Sequence, residues 1–222
     1  MIFFDLDGTL LDFKGAEFLA VLAFHNQFSS LFNFSGNQSD FYREWCSIGK
    51  KHYSRFLQGE LSFEQQKIAR MKELIGELQD CEAAEYFQFY LKSFEYNWRP
   101  YEDVIPCLQS LKGNRLGIIT NGDLNQQKQK LERMGILEYF EVVIASGDVG
   151  VSKPNTRIFE VASEMTGQHL HAITYIGDDF STDIAPCEKL NMRGIWLNRQ
   201  NERLERPVQR MITTLDNLYE HL

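Results

Sequence analysis

The chain opens on a short apolar run, Ile2-Phe3-Phe4, that breaks at once into Asp5-Leu6-Asp7-Gly8-Thr9-Leu10. A strand-like segment does not end in two carboxylates two residues apart unless chemistry needs them, because unpaired charge is costly to desolvate. The glycine and hydroxyl that follow let the backbone turn sharply and present polar groups. Taken alone, Asp-x-Asp-Gly is equally a calcium loop or a plain turn. A full EF-hand loop has a third oxygen ligand and a closing Glu, and Leu10 to Phe13 supply neither in register.

Five apolar, β-branched or aromatic runs read as strands: Ile2 to Leu6, Leu116 to Thr120, Val142 to Ala145, Ile173 to Ile176, and Gly194 to Leu197. Helix-like segments separate the last four, the alternation of a parallel α/β sheet. Leu124, Leu131 and Met134 give one helix an apolar side, with Gly135 as its C-terminal cap. Ile158, Phe159, Ala162 and Met165 form the next, ending at Gly167. Ile184, Cys187 and Leu190 mark a third, with Ser181 or Thr182 as N-cap.

From about Gly15 to Tyr96 the pattern is helix after helix. Phe41, Trp45, Ile48, His52 and Phe56 step at helical spacing, Ser62-x-x-Gln65 has the form of a capping box, and Phe87, Leu91 and Phe94 line a further helix. A parallel crossover needs only one short helix, so this excursion between the first strand and its partners predicts an inserted second domain. The expected division is a catalytic core over residues 1–14 and 97–222 and an all-helical domain over 15–96.

Four of the five runs lead into polar residues: Asp5 and Asp7; Thr120-Asn121-Gly122; Ser152-Lys153-Pro154; and Gly177-Asp178-Asp179, with Asp183 close behind. Ligands of open α/β sheets bind at the carboxyl ends of the strands, so these groups should converge. Asp5, Asp7, Asp178 and Asp183 bring four carboxylates against the one ammonium of Lys153. Such a cluster repels itself unless protons or a hard cation neutralise it. All-oxygen ligands favour magnesium over zinc, and the lysine and Thr-Asn pair suit an anionic substrate, phosphate best of all.

These four ordered motifs resemble those of the haloacid dehalogenase-like hydrolases, from Met1 to about Asp12 and from Trp98 onward. The resemblance implies a Rossmann-like parallel sheet with a helical cap inserted after the first motif, and a Mg2+-dependent phosphatase acting on a small phosphorylated molecule. It implies Asp5 as nucleophile, forming an aspartyl-phosphate, and Asp7 as the acid and base for leaving group and water. Asp7 must then hold a proton near neutral pH, with crowding by the other carboxylates as the source. The resemblance has Asp7 meet magnesium through its backbone carbonyl, beside Asp5, Asp178 and Asp183 as further metal-site residues. Thr120 and the backbone N–H of Asn121 would hold phosphate oxygens with Lys153, Gly122 would let the chain approach the phosphate closely, and Pro154 would start the following helix. Asp179 stands where many relatives carry a small hydroxyl residue, which leaves it a supporting acid or a bystander.

Composition limits the partners. A net charge of -8 over 222 residues argues against nucleic acid and anionic membranes. Cys46, Cys81, Cys107 and Cys187 form no Cys-x-x-Cys pair, and no apolar stretch reaches the length of a membrane span, so a cytoplasmic protein with free thiols is expected. His169-x-His171 reads as surface, and the aromatic residues of the helical block read as core. A nucleotidase fits Leu11-Asp12-Phe13 and Ala16-Glu17; sugar phosphates and phosphoglycolate compete closely with nucleotides, and Lys14, Lys50, Lys51 and Arg55 are candidates for reading a second anionic group. The alternatives are a phosphomutase or dehalogenase on the same fold, or a non-catalytic regulator.

Overall fold

The computed structural model describes residues 1–32 and 34–222. These fall into two compact units, Met1–Phe13 with Trp98–Leu222, and Lys14–Asn97.

The first unit is built on a six-stranded, all-parallel sheet: β1 (Ile2–Phe4), β2 (Leu116–Thr120), β3 (Val142–Ala145), β4 (Thr174–Gly177), β5 (Arg193–Leu197) and β6 (Met211–Ile212). Their spatial order is β3-β2-β1-β4-β5-β6. The chain moves outward on one side of β1 and then crosses to build the other side, so the order reverses between β1 and β4. A crevice forms at the carboxyl ends of the strands where such a reversal occurs. Strands β1, β2 and β4 are buried along their whole length, as expected of a parallel sheet covered on both faces. Phe3, Ile119, Ile144, Phe159 and Tyr175 sit in one buried cluster beneath the crevice.

The second unit is helical: α1 (Phe13–Phe28), whose first residue belongs to the sheet unit, then α2 (Gln38–Leu57), α3 (Phe63–Ile75) and α4 (Asp80–Tyr96). The Ser62/Gln65 capping box forms as read, and a second one, Asn37 with Asp40, opens α2. The aromatic stripe is core: Phe41, Trp45 and Phe87 are buried, and Trp45 packs on Phe24 and Tyr90 at ring-centroid distances of 5.5 and 4.4 Å. Lys51 is paired with Glu73 at 2.8 Å and Arg55 with Glu60 at 3.0 Å.

The helices of the sheet unit are α5 (Val104–Ser110), α6 (Leu124–Arg133), α7 (Ser146–Val149), α8 (Arg157–Thr166) and α9 (Ala185–Lys189). Gly135 and Gly167 stand just beyond α6 and α8 at φ +67° and +66°, as their reading as C-terminal caps requires. Several expectations are corrected. The first strand stops at Phe4 instead of Leu6. Strand β6 has no counterpart among the sequence-read strands, because two residues carry no alternation. Pro154 does not start a helix: it follows a cis bond in the turn ahead of α8. The turn Phe180–Ile184 that leads into α9 is capped by Asp179, whose carboxylate accepts from the Thr182 N–H, so neither Ser181 nor Thr182 is the cap. The four cysteines are free thiols, and among the described residues no helix is long and apolar enough to cross a membrane.

One half-buried ion pair ties the far end of the sheet unit to the first loop. The Arg199 guanidinium donates twice to Asp103, at 2.8 and 2.9 Å, and once to the Thr9 carbonyl at 3.0 Å, and it stacks 4.0 Å over Tyr101. Asp103 also accepts from the Thr214 hydroxyl and the Leu215 N–H. Burial raises the Asp103 pKa, but these hydrogen bonds and the guanidinium charge outweigh it and hold the carboxyl below its usual range. The contribution to stability is therefore complete above the ordinary carboxylate pKa and is lost as pH falls through the lower folded-state value. Asp103→Asn should cost about 2 kcal/mol in urea unfolding at pH 7. The deficit relative to the parent should shrink below about pH 4; a deficit independent of pH would show that the charge is not what matters.

Candidate active site

The residues that follow β1, β2 and β4 meet in the crevice of the sheet unit. Phe4 is paired with Ile176, and the next rung continues the ladder: the Asp5 N–H donates to the Ile176 carbonyl at 2.8 Å. This register sets Asp5 beside the loop that carries Asp178. Ligand oxygens of Asp5, Asp178 and Asp183 all lie within 4.8 Å of one another. Two glycines make that approach feasible. A Cβ on Gly177 would stand 2.4 Å from the Asp183 carboxyl group, and one on Gly8 would stand 2.4 Å from Asp178 Oδ2. Gly8 also has φ +92°, a conformation that side chains with a Cβ resist.

Lys153 neutralises the cluster. Its Nζ donates to Asp5 Oδ1 at 2.6 Å, to Asp183 Oδ1 at 2.7 Å and to the Tyr175 hydroxyl at 2.8 Å. All three charged side chains are buried. Burial opposes the lysine's charge, yet Asp183 and Asp5 outweigh it and raise its pKa. Asp5 is pushed up by burial first, with Lys153 opposing and Asp183 and Asp178 adding to the rise. Asp178 is pushed up to about 6, by burial and then by Asp183, against the hydrogen bond it accepts from Thr9 at 3.1 Å. Three carboxylates around a single ammonium leave an excess of negative charge, and the donors are all oxygens. That set fits a hard divalent cation such as magnesium.

Thr120, Asn121 and Gly122 lie together at the end of β2. The Asn121 side chain does not face outward: its Oδ1 accepts from the Lys153 N–H at 2.8 Å and its Nδ2 donates to the Lys153 carbonyl at 3.1 Å. It thereby clamps the loop that delivers the lysine. The Gly122 N–H donates to Ser146 Oγ at 2.9 Å.

Asp7 stands apart from the metal-type trio. Its carboxylate accepts from Lys130 Nζ at 2.7 Å on both oxygens and from Gln127 Nε2 at 3.2 Å. The crowding expected at Asp7 falls instead on Asp5 and Asp178, and the count of one ammonium among the motif acids becomes two. Lys130 and Gln127 are absent from the sequence reading, as is Tyr175. Tyr175 is one of two hydroxyl-bearing residues, with Thr174, inside the fourth apolar run, which does not single it out. The other two sit in a polar helix face, where no sequence signal sets them apart from solvated neighbours.

The sequence model of the haloacid dehalogenase-like hydrolases matches residues 1–191. The chain belongs to that family. Among its relatives, the pyrimidine 5'-nucleotidase YjjG of Escherichia coli is 27% identical over 199 residues, 89% of this chain and 85% of that one. A glyceraldehyde 3-phosphate phosphatase of Methanopyrus kandleri is 35% identical over 119 residues, about half of either protein at 53% and 51%. The crystal structure of the putative hydrolase YfnB from Bacillus subtilis, bound to magnesium, superposes with a TM-score of 0.81 at 23% identity, over 99% of this chain and 96% of that one. That likeness confirms the fold of this hydrolase.

The close approach at Gly177 is open to test. Gly177→Ala must displace Asp183 or the strand end, at about 1–3 kcal/mol of overpacking cost. Magnesium titrated calorimetrically should bind the variant at least tenfold more weakly than the parent. Unchanged affinity would mean that Asp183 needs no such proximity to the strand.

Proposed function

We propose that this hydrolase is a magnesium-dependent phosphatase that cleaves a small phosphomonoester through an aspartyl-phosphate, with a nucleoside monophosphate as the favoured substrate class. The observation that carries the reading is the meeting of Asp5, Asp178 and Asp183 within 4.8 Å around the ammonium of Lys153. The helical unit Lys14–Asn97 is read as the family's cap. The nucleotidase reading draws on the similarity to YjjG, which extends over 89% of this chain.

Lys153 engages Asp5 Oδ1, which leaves Oδ2, free of hydrogen bonds among the described residues, to attack phosphorus. The leaving alkoxide takes a proton from Asp7, which carries one only after its carboxylate has left the Lys130 ammonium, and Asp5 is left as the acyl phosphate. Asp7, now a carboxylate, accepts a proton from the water that attacks the same phosphorus and releases phosphate, which restores both side chains. Lys153, the Thr120 hydroxyl and the Asn121 backbone N–H balance charge on the phosphoryl oxygens, while the Gly122 N–H is held by Ser146. Asp5, Asp178 and Asp183 would hold magnesium, with the Asp7 backbone carbonyl completing the protein's share, and the ion would supply charge neutralisation for the phosphoryl group.

Asp5→Asn should abolish hydrolysis of p-nitrophenyl phosphate, and EDTA should silence the parent until magnesium is restored. Turnover by the Asn variant would refute the nucleophile. Chloroacetate hydrolysis without magnesium would replace the phosphatase by a dehalogenase. Within a panel of phosphorylated metabolites, nucleoside monophosphates should give the highest kcat/KM.

A further inference from the structure

We infer that the helical unit holds a binding site of its own, between Glu17, Trp45 and Arg70, for a flat, uncharged molecule with a lactam-type edge. The inference goes beyond the phosphomonoester reading and uses none of the residues of the crevice.

Glu17 comes from α1, Trp45 from α2 and Arg70 from α3, so the site exists only once the helices have packed. Arg70 is the unusual member. It is half-buried, yet among the described residues its guanidinium donates to no acceptor and pairs with no carboxylate. Aromatic faces hold it instead: it lies 5.2 Å from the Trp45 ring centre, 5.4 Å from that of Phe87 and 6.0 Å from that of Tyr90. Gly49 makes room for it, because a Cβ there would stand 2.9 Å from Arg70 Nη2 and 3.2 Å from its Cζ. A glycine inside α2 weakens that helix, so helix propensity yields at this point to seating the guanidinium. An arginine fixed by stacking keeps its N–H edge for a ligand.

The groups around it are left open as well. Trp45 is 2% exposed, and its indole N–H is buried without a partner, although Glu17 lies near enough to feel it. Gln66, one turn before Arg70 on α3, is equally buried, and its Oε1 has no partner either. Glu17 has one oxygen in use: Oε2 accepts from the Tyr42 hydroxyl at 3.2 Å and from the Cys46 thiol at 3.7 Å, which leaves Oε1. Burial raises the Glu17 pKa and the Arg70 charge opposes that rise, so the two charges are neighbours, yet no ion pair joins them. A buried N–H, an open guanidinium edge and a carboxylate oxygen that face one another without bonding leave a gap for a ligand atom to bridge. Charge decides which ligand. Glu17 and Arg70 cancel, so an anion would oppose the carboxylate and a cation the guanidinium. A neutral ligand avoids both if a C=O accepts from Arg70 and the indole while an adjoining N–H donates to Glu17 Oε1. That pattern is the edge of a lactam, and the rings of Trp45, Phe87 and Tyr90 favour a flat one.

Uracil is the probe, being flat, lactam-edged and uncharged near neutral pH. Benzoate and benzamidine present a flat ring with an anionic and a cationic edge. In calorimetric titration of the full chain, uracil should bind saturably. Trp45→Phe, which keeps an aromatic wall but removes the N–H, and Arg70→Met should each weaken that binding about tenfold or more. The indole N–H resonance that Trp45→Phe deletes from the proton–nitrogen correlation spectrum should shift when uracil is added to the parent. Asp5→Asn should leave uracil affinity unchanged, which separates this site from the crevice and this inference from the phosphatase reading. Absence of saturable binding would mean that water or a turned Glu17 side chain closes the gap, and the inference falls. It falls equally if benzoate or benzamidine binds more tightly than uracil, or if uracil binding ignores both Trp45→Phe and Arg70→Met. Should Arg70→Met not fold, Trp45→Phe and the resonance shift decide the matter.

Discussion

The crevice depends on the buried ammonium of Lys153. Asp5 and Asp183 could not lie so close to each other and to Asp178 in a site of reduced dielectric without a cation among them. A flexible, strongly hydrated lysine is a poor choice for such a position unless its backbone is held, and the Asn121 side chain holds it by accepting from its N–H and donating to its carbonyl. Asn121, read in sequence as a phosphate ligand through its backbone N–H, spends its side chain on the loop that supplies the charge. Tyr175 receives the third hydrogen bond of the ammonium and passes its own proton to the Ile119 carbonyl at 2.9 Å, which anchors the whole arrangement to β2 and β4.

The same economy runs through the surrounding loops. The Trp196 indole donates to the Asp178 carbonyl at 2.8 Å, so the loop after β4 is steadied from β5. Arg199, beyond the end of β5, reaches back to the Thr9 carbonyl in the loop after β1. The loops after β1 and β4, which carry the charged groups, are thus both braced from β5 or the segment just beyond it. Rigid placement is what a charge-stabilising site requires, since donors that must reorganise during reaction lose much of their effect.

Much of this was legible along the chain. Parallel strands that are covered on both faces are apolar throughout, and the interruptions at Asp5, Thr120 and Asp178 mark where each one ends. The Ser62 and Gln65 box was readable because its hydrogen bonds span three residues. The Asp179 cap was not, because Ser181 and Thr182 are equally good caps, and only the course of the Phe180–Ile184 turn chooses among them. Strand β6 was too short to show a period. Gln127 and Lys130 lie in a helix rich in Gln, Lys, Glu and Arg, where burial is a property of what packs against the face.

The sequence by itself determined the fold family, the order of the strands' polar ends and the identity of the acids and the lysine, because local patterning and motif order are one-dimensional facts. Only the tertiary structure decided how the charges are shared. It joined Lys153 to Asp5 and Asp183, gave Asp7 to Lys130 and Gln127, and turned Asn121 toward a loop 32 residues away. Electrostatic partnership depends on distances of a few ångströms between segments far apart in the chain, and those distances exist only after the sheet has closed around its crossovers.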